Sequence, residues 1–220
     1  MKPIIALNLK TYKESLGKRG LELTQIASEV SLLTGIRIIV APQHVDLREA
    51  VQLHSDIYAQ HCDPHLEGAH TGAMTADQIK SVGGRGTLLN HSEHRIEEQA
   101  IAQTITILKD AGLEIMLCAR TAEESVNLAK YEPDFIAVEP PELIGSGISV
   151  STAKPELVSA TVEAVAKVNK TPVLCGAGVS NANDVKRAIE LGAQGVLLAS
   201  AFVKSPDPKK LLTEMAEAIV

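Results

Sequence analysis

Eight times in 220 residues this chain passes from a short, continuously apolar run to a longer stretch with helical character. The runs lie at 4–7, 36–40, 57–60, 87–90, 114–117, 135–138, 172–174 and 195–198. Runs of this length without polar alternation suit strands buried on both faces, as in a parallel sheet. Between them, Leu23, Ile26, Ala27, Val30 and Leu33 mark one helix face, and Ile96, Ala100, Ile101, Thr104, Leu108 and Ala111 a second. Val158, Val162, Val165 and Val168 mark a third, and shorter helices are expected over 45–53, 75–82, 122–130 and 182–191. Ser205-Pro206-Asp207-Pro208 opens the last helix, with a capping Asp and Pro at the first helical position. Repeated βα units require a parallel sheet with its helices outside. Eight of them point to an α/β fold, a single-domain (β/α)8 barrel over residues 1–220. An open doubly wound sheet of the same units is the alternative, and no internal repeat separates the two.

Composition narrows the core and the partners. Hydrophobic residues make up 45% of the chain and aromatics only 2%, with no Trp. The core is therefore built of Val, Ile, Leu and Ala, which suits the layered interior of a barrel. It does not suit a surface that stacks on bases or sugars. Net charge is −6 and there is no basic run, which argues against nucleic acid or an anionic membrane as partner. No apolar stretch reaches the roughly 18 residues of a membrane span, and the N-terminus does not read as a signal peptide, so a cytoplasmic protein is expected. Cys62, Cys118 and Cys175 are far apart and form no CxxC, so neither a zinc site nor a disulfide framework is expected.

Barrel chemistry collects where strands end and loops begin, and the polar residues of this chain gather there. Glu139 ends the sixth run and is followed at once by Pro140-Pro141, a short apolar tip and Gly145-Ser146-Gly147. An acid on rigid backbone beside a loop with hinge-like ends fits a general base under a lid. A strand-capping Glu on an ordinary surface loop is the plainer alternative. Asn8 and Lys10 end the first run on one face of the strand. A Lys is rarely buried without a partner, so Lys10 hints at an anionic ligand, unless it snorkels to the surface. His91 ends the fourth run where a long helix is expected to begin. The positive end of that helix would favour neutral imidazole, able to donate a hydrogen bond to a developing oxyanion. A helix-capping role is the alternative for His91, and His94 is expected at the surface.

Gly176-Ala177-Gly178 and Ala199-Ser200 follow the seventh and eighth runs. Small residues there let backbone N–H groups approach a phosphate, although a tight turn needs no ligand. His61-Cys62-Asp63-Pro64-His65, with His70, resembles a metal site superficially. Its spacing fits no standard zinc pattern and Pro64 breaks any aligning helix, so it reads as an interaction loop.

Asn8-Leu9-Lys10, Gly68-Ala69-His70-Thr71-Gly72, Asn90-His91-Ser92-Glu93, Val138-Glu139-Pro140 and Ile144-Gly145-Ser146-Gly147 occur in the order of the triosephosphate isomerase motifs. The chain resembles that family over its whole length and is most similar to the short archaeal branch, notably in 139–145 and 174–178. The resemblance implies a TIM barrel that interconverts dihydroxyacetone phosphate and glyceraldehyde 3-phosphate in glycolysis and gluconeogenesis, with no cofactor and no metal. It implies Glu139 as the base, His91 as the electrophile, and Lys10 with Asn8 as groups that hold the substrate. The pairing of a Glu base with a neutral His is the family's own pattern, taken over here. Glu93 matches a supporting carboxylate, and Ile144, Gly145, Gly176, Gly178, Ala199 and Ser200 match the phosphate site. Residues 68–72 match the loop that enters a neighbouring subunit, and the archaeal branch implies a homotetramer in preference to a dimer.

The chain also departs from the larger branch. Glu142 stands where a lid Trp is expected. Cys175-Gly176-Ala177-Gly178 replaces Tyr-Gly-Gly-Ser, so the hydroxyls that latch the lid are missing. Ala199-Ser200 replaces Gly-Gly. Another phosphate-binding barrel enzyme, or a barrel that binds a sugar phosphate without turning it over, remains as an alternative. A Schiff-base aldolase would want a Lys where Glu139 stands, and a spent site would lack one of Lys10, His91 or Glu139.

Overall fold

The computed structural model describes residues 2–140 and 149–219. The strands are β1 (Ile4–Asn8), β2 (Arg37–Ala41), β3 (Tyr58–Ala59), β4 (Gly86–Leu89), β5 (Glu114–Ala119), β6 (Phe135–Val138), β7 (Val173–Cys175) and β8 (Gly195–Leu198). The helices are α1 (Lys18–Thr34), α2 (Leu47–Ala50), α3 (Ala76–Val82), α4 (Glu98–Ala111), α5 (Ala122–Ala129), α6 (Val150–Ala153), α7 (Pro155–Ala166), α8 (Ala182–Glu190), α9 (Ser200–Val203) and α10 (Pro208–Glu217).

All strand pairs are parallel, in the order β2-β1-β8-β7-β6-β5-β4-β3. A parallel bridge between Val40 and Ile57 joins the two ends, with the Val40 N–H donating to the Asp56 carbonyl at 2.9 Å. That contact and the β1–β8 pairing make the sheet a barrel rather than an open doubly wound layer. The β1–β8 seam needs Gly195, where a Cβ would lie 2.2 Å from the Ile4 carbonyl oxygen.

Period-two alternation divides the apolar residues between two layers. Ile4, Ala6, Ile39, Ala41, Tyr58, Leu88, Met116, Cys118, Phe135, Ala137, Leu174 and Leu197 form one buried cluster, the barrel interior. Ile5, Leu7, Ile38, Val40, Leu117, Ile136 and Val196 belong to the larger cluster beneath the helices. At the floor, Arg37 reaches Asp56 at 2.7 Å and Glu114 at 2.6 Å, and Arg85 reaches Glu114 at 2.9 Å. The Tyr58 hydroxyl also donates to Glu114, and the Arg37 guanidinium lies 5.7 Å from the Phe135 ring centroid. Burial alone would raise the Glu114 carboxyl, but Tyr58, Arg37 and Arg85 outweigh it and hold the group below its ordinary range.

The same alternation sets the mouth. Two residues beyond Ala6, Leu88, Ala137, Leu174 and Leu197 come Asn8, Asn90, Glu139, Gly176 and Ala199. Strand parity therefore turns Asn8, Glu139, Gly176 and Ala199 toward one opening, while the Asn90 side chain is buried against β5.

The helix expected to start beside His91 starts instead at Glu98. Asn90 Oδ1 accepts from the Ile96 N–H at 3.2 Å, and Arg95 Nη1 donates back to the Asn90 carbonyl at 3.1 Å. These bonds hold 91–97 in an irregular loop. The segment at 45–53 is a single 3-10 turn, His44–Asp46, running into the short α2. Val168 lies past the end of α7 and is 40% exposed. Among the described residues no helix is long and apolar enough to cross a membrane.

Candidate active site

At the end of β1, Asn8 is buried and its Oδ1 accepts the Lys10 N–H at 2.9 Å. That bond draws Lys10 into the left-handed region, with φ 47°. A non-glycine residue there costs roughly 1–2 kcal/mol, and such strain tends to be held at working sites. Lys10 Nζ donates to Glu93 Oε1 at 2.7 Å, with the two side chains 14% and 56% exposed. Lys10 is thus paired, but with a carboxylate half in water, and exposed pairs are worth only about 0–1 kcal/mol. An entering anion would meet little competition for the ammonium.

His91 is buried, and its Nδ1 accepts the Glu93 N–H at 3.2 Å. An accepting Nδ1 leaves the proton of the neutral ring on Nε2. α4 begins seven residues downstream, so this amide, not a helix end, selects that form. His91 Nε2 faces Glu139 Oε1 at 3.3 Å.

Glu139 continues β6 and is 3% exposed, and its N–H donates to the Ala119 carbonyl at 2.7 Å. Its Oε2 is buried without a hydrogen-bond partner among the described residues. A buried acceptor without a protein partner is open to a donor from a ligand. Beside the carboxylate lies Cys118, whose thiol is pushed well above its usual range by burial and then by the nearby Glu139 carboxyl group. Gly176, the residue after β7, stands beside Glu139, where a Cβ would lie 2.7 Å from Glu139 Cγ and 3.0 Å from the Val138 carbonyl oxygen. Gly176 therefore makes room for the acid. Gly178 is the glycine of this turn with positive φ, at 70°.

Asn8, Lys10, His91, Glu139, Gly176, Gly178, Ala199 and Ser200 all line one cavity of about 500 Å³. Glu93 lines an adjoining cavity of about 530 Å³ that shares Asn8, Lys10 and His91. Ile144 and Gly145 lie outside the described residues. Sequence reading missed Tyr12, Ser180 and Lys204, which line the first cavity. Lys204 Nζ lies 4.4 Å from the Tyr12 ring centroid. Its signal was present, because it falls four residues after Ser200 on the turn carried by α9. Asn90 and Cys118 were also missed, and only the pairing of distant strands brings them to the site.

In the loop after β3, His61 Nε2 sits 3.2 Å from Asp63 Oδ1, and Asp63 Oδ2 accepts the Met74 N–H at 2.7 Å. The His61 and His94 rings stack at 4.0 Å, and those of His65 and His70 at 4.1 Å. His94 is exposed but sits in the 91–97 loop, not on a helix. Among the described residues no three His, Cys, Asp or Glu side chains converge as a metal site.

The side chains of Glu139, His91 and Lys10 thus line one cavity together with the glycine-rich backbone of 176–178. The family model described as triosephosphate isomerase matches residues 3–218. The chain belongs to the triosephosphate isomerase family. It is 50% identical over 218 residues to the triosephosphate isomerase of Methanocaldococcus jannaschii, covering 98% of this chain and 100% of that protein. The triosephosphate isomerase of Methanothermus fervidus is 49% identical over 216 residues, 97% of each chain. That of Methanosarcina acetivorans is 44% identical over 219 residues, 99% of each. The triosephosphate isomerase similarity runs through β1 to α10, so the cavity and all its described walls fall inside the match.

Proposed function

We propose that this chain interconverts dihydroxyacetone phosphate and D-glyceraldehyde 3-phosphate through an enediolate, as a cytoplasmic enzyme of glycolysis and gluconeogenesis. The observation that carries the reading is His91 Nε2 facing Glu139 Oε1 at 3.3 Å, with Lys10 on the same wall. A two-carbon unit laid across the pair, rather than between them, meets a base and a hydrogen-bond donor together. The Glu139 carboxylate takes a proton from the carbon next to the carbonyl. As the electron pair moves into the new C=C bond, charge builds on the carbonyl oxygen, which accepts from His91 Nε2–H and lies near the Lys10 ammonium. Glu139 then returns a proton to the neighbouring carbon, while the proton of that carbon's hydroxyl passes by way of His91 to the first oxygen, which leaves a hydroxyl there and the carbonyl on the other oxygen. A general base contributes about 10²–10⁴-fold, and a preorganised donor at the oxyanion about 3–4 kcal/mol. The phosphate lies against the backbone of 176–178 and 199–200, with the Ser200 hydroxyl and the Lys204 ammonium nearby.

Assembly belongs to the same reading. Leu16, Val45 and Leu66 are large apolar residues exposed on the loops after β1, β2 and β3, at 53%, 77% and 61%. A homo-oligomer, tetramer rather than dimer, would cover them, with the loop at 68–72 entering its neighbour beside Lys10. Light scattering that finds an active monomer would remove this part.

The test of the activity is a coupled assay with glyceraldehyde 3-phosphate on one side and dihydroxyacetone phosphate on the other. Turnover in both directions without added metal or cofactor is expected. No turnover in either direction by a folded chain would refute the reading.

A further inference from the structure

We infer that Asn90 is a positioning residue, whose side chain clasps the loop carrying His91 to the end of β5 and so fixes His91 against Glu139. The inference rests on the isomerase reading for its kinetic consequence, but the clasp is structural. Asn90 ends the inward row of β4, is 1% exposed, and has φ 60°. Asn tolerates the left-handed region better than most residues. Glycine would meet that requirement too, but it could not make the bonds seen here. Asn90 Nδ2 donates to the Cys118 carbonyl at 3.0 Å, while Oδ1 accepts the Ile96 N–H at 3.2 Å. One side chain therefore closes the 90–96 loop on itself and ties it to β5.

The attachment point gives the clasp its meaning. Asn90 holds Cys118 O, and the next carbonyl along, that of Ala119, accepts the Glu139 N–H at 2.7 Å. The loop of the imidazole and the strand of the acid are thus referenced to two successive peptide groups of β5. Arg95 reinforces the tie, donating to the Asn90 carbonyl at 3.1 Å and pairing with Glu124, which also accepts the Arg120 N–H at 2.6 Å. Arg95 Nη1 also reaches the Cys118 carbonyl, at the longer distance of 3.5 Å, and the loop's remaining bonds do not replace the clasp. His94 N–H to His91 O at 2.8 Å and Glu93 N–H to His91 Nδ1 travel with the loop. The Lys10–Glu93 pair ends on a half-exposed carboxylate.

Asn90→Gly in the full chain isolates the clasp, because it keeps the backbone conformation and removes both amide bonds. Displacement of a reacting group by about 1 Å can cost about a hundredfold. The expected loss in kcat is therefore about tenfold to a hundredfold, with KM and the Kd of glycerol 3-phosphate within twofold of the parent. The ¹⁵N spectrum of the His91 ring should change from one neutral form, protonated at Nε2, to an averaged pair. Asn90→Asp keeps the acceptor for Ile96 but loses the donor to Cys118, and should lower kcat in the same way. A purely structural role would lower the melting temperature and leave kcat and the ring spectrum of the folded protein unchanged. That result in either variant overturns the inference. If the parent does not isomerise, the proposed function fails, and the His91 spectrum decides the clasp by itself: unchanged in Asn90→Gly, it overturns the inference.

Discussion

Gly176→Ala adds a single methyl group at the point where β7 passes Glu139. The new Cβ would sit 2.7 Å from Glu139 Cγ, 3.0 Å from the Val138 carbonyl oxygen and 3.4 Å from Ala137 Cβ. Carbon atoms pack at about 3.5–4.0 Å, so Cγ must recede by roughly 1 Å or the two strands must part. Parting is resisted by the ladder, since the Gly176 N–H donates to the Val138 carbonyl at 2.9 Å and Val138 pairs with Cys175. The acid is therefore the group that moves. Overpacking of this kind costs about 1–3 kcal/mol, or a fall of roughly 3–10 °C in melting temperature for a chain of this size. Displacing a base by about 1 Å costs about 10² in kcat. Steady-state kinetics, thermal unfolding and the Kd of glycerol 3-phosphate separate two roles for this glycine. Space for Glu139 predicts a collapse in kcat with phosphate affinity nearly kept. Approach to phosphate alone predicts the reverse, and kcat within threefold of the parent with a raised KM would refute the steric reasoning.

Two further outcomes follow from the charges. Lys10→Met should weaken binding of a dianionic inhibitor such as phosphoglycolate at least tenfold. It should move the melting temperature by no more than about 3 °C, because the Glu93 it abandons is half in water; unchanged inhibitor affinity would return Lys10 to a surface role. Glu114→Gln should cost about 2 kcal/mol at neutral pH, since three donors lose a charged acceptor. Glu114 is held below its ordinary value of 4.5, so its stabilisation is complete above about pH 4.5 and lost as pH falls through the lower folded value. Urea melts across that window should show a shallower acid loss for the variant, and parallel curves would count against the floor network.

The strands were legible because each is a local pattern. Phe135–Val138 and Gly195–Leu198 stand in the sequence as the fold uses them, bounded by Glu-Pro-Pro on one side and a Gly on the other. The cap on α10 was legible for the same reason, and the Asp207 side chain accepts the Lys210 N–H at 3.0 Å. What was lost is what depends on partners distant in sequence. The start of α4 was misjudged because Ile96 and Ala100 keep helical spacing, while the Asn90 and Arg95 bonds that delay the helix leave no periodic mark. Gly176 was read for a phosphate, and its closeness to Glu139 left no mark in the sequence, since strand register decides which side chains share a level. The floor pair Arg37 and Glu114 is separated by 77 residues and has no local signature. At the site, strand ends were enough to locate Asn8, Lys10, His91 and Glu139, because a barrel brings all such ends to one face.

In the proposed reaction one carboxylate, Glu139, carries a proton between adjacent carbons while His91 Nε2–H holds the oxygen. Turnover in D₂O, followed by NMR of the product, tests it most directly. The parent should place solvent deuterium on the carbon next to the carbonyl. Glu139→Gln, folded and still binding glycerol 3-phosphate, should lose both that exchange and turnover by about 10²–10⁴-fold. Deuterium incorporation at the parent's rate in Glu139→Gln would show that another group moves the proton and would contradict the account.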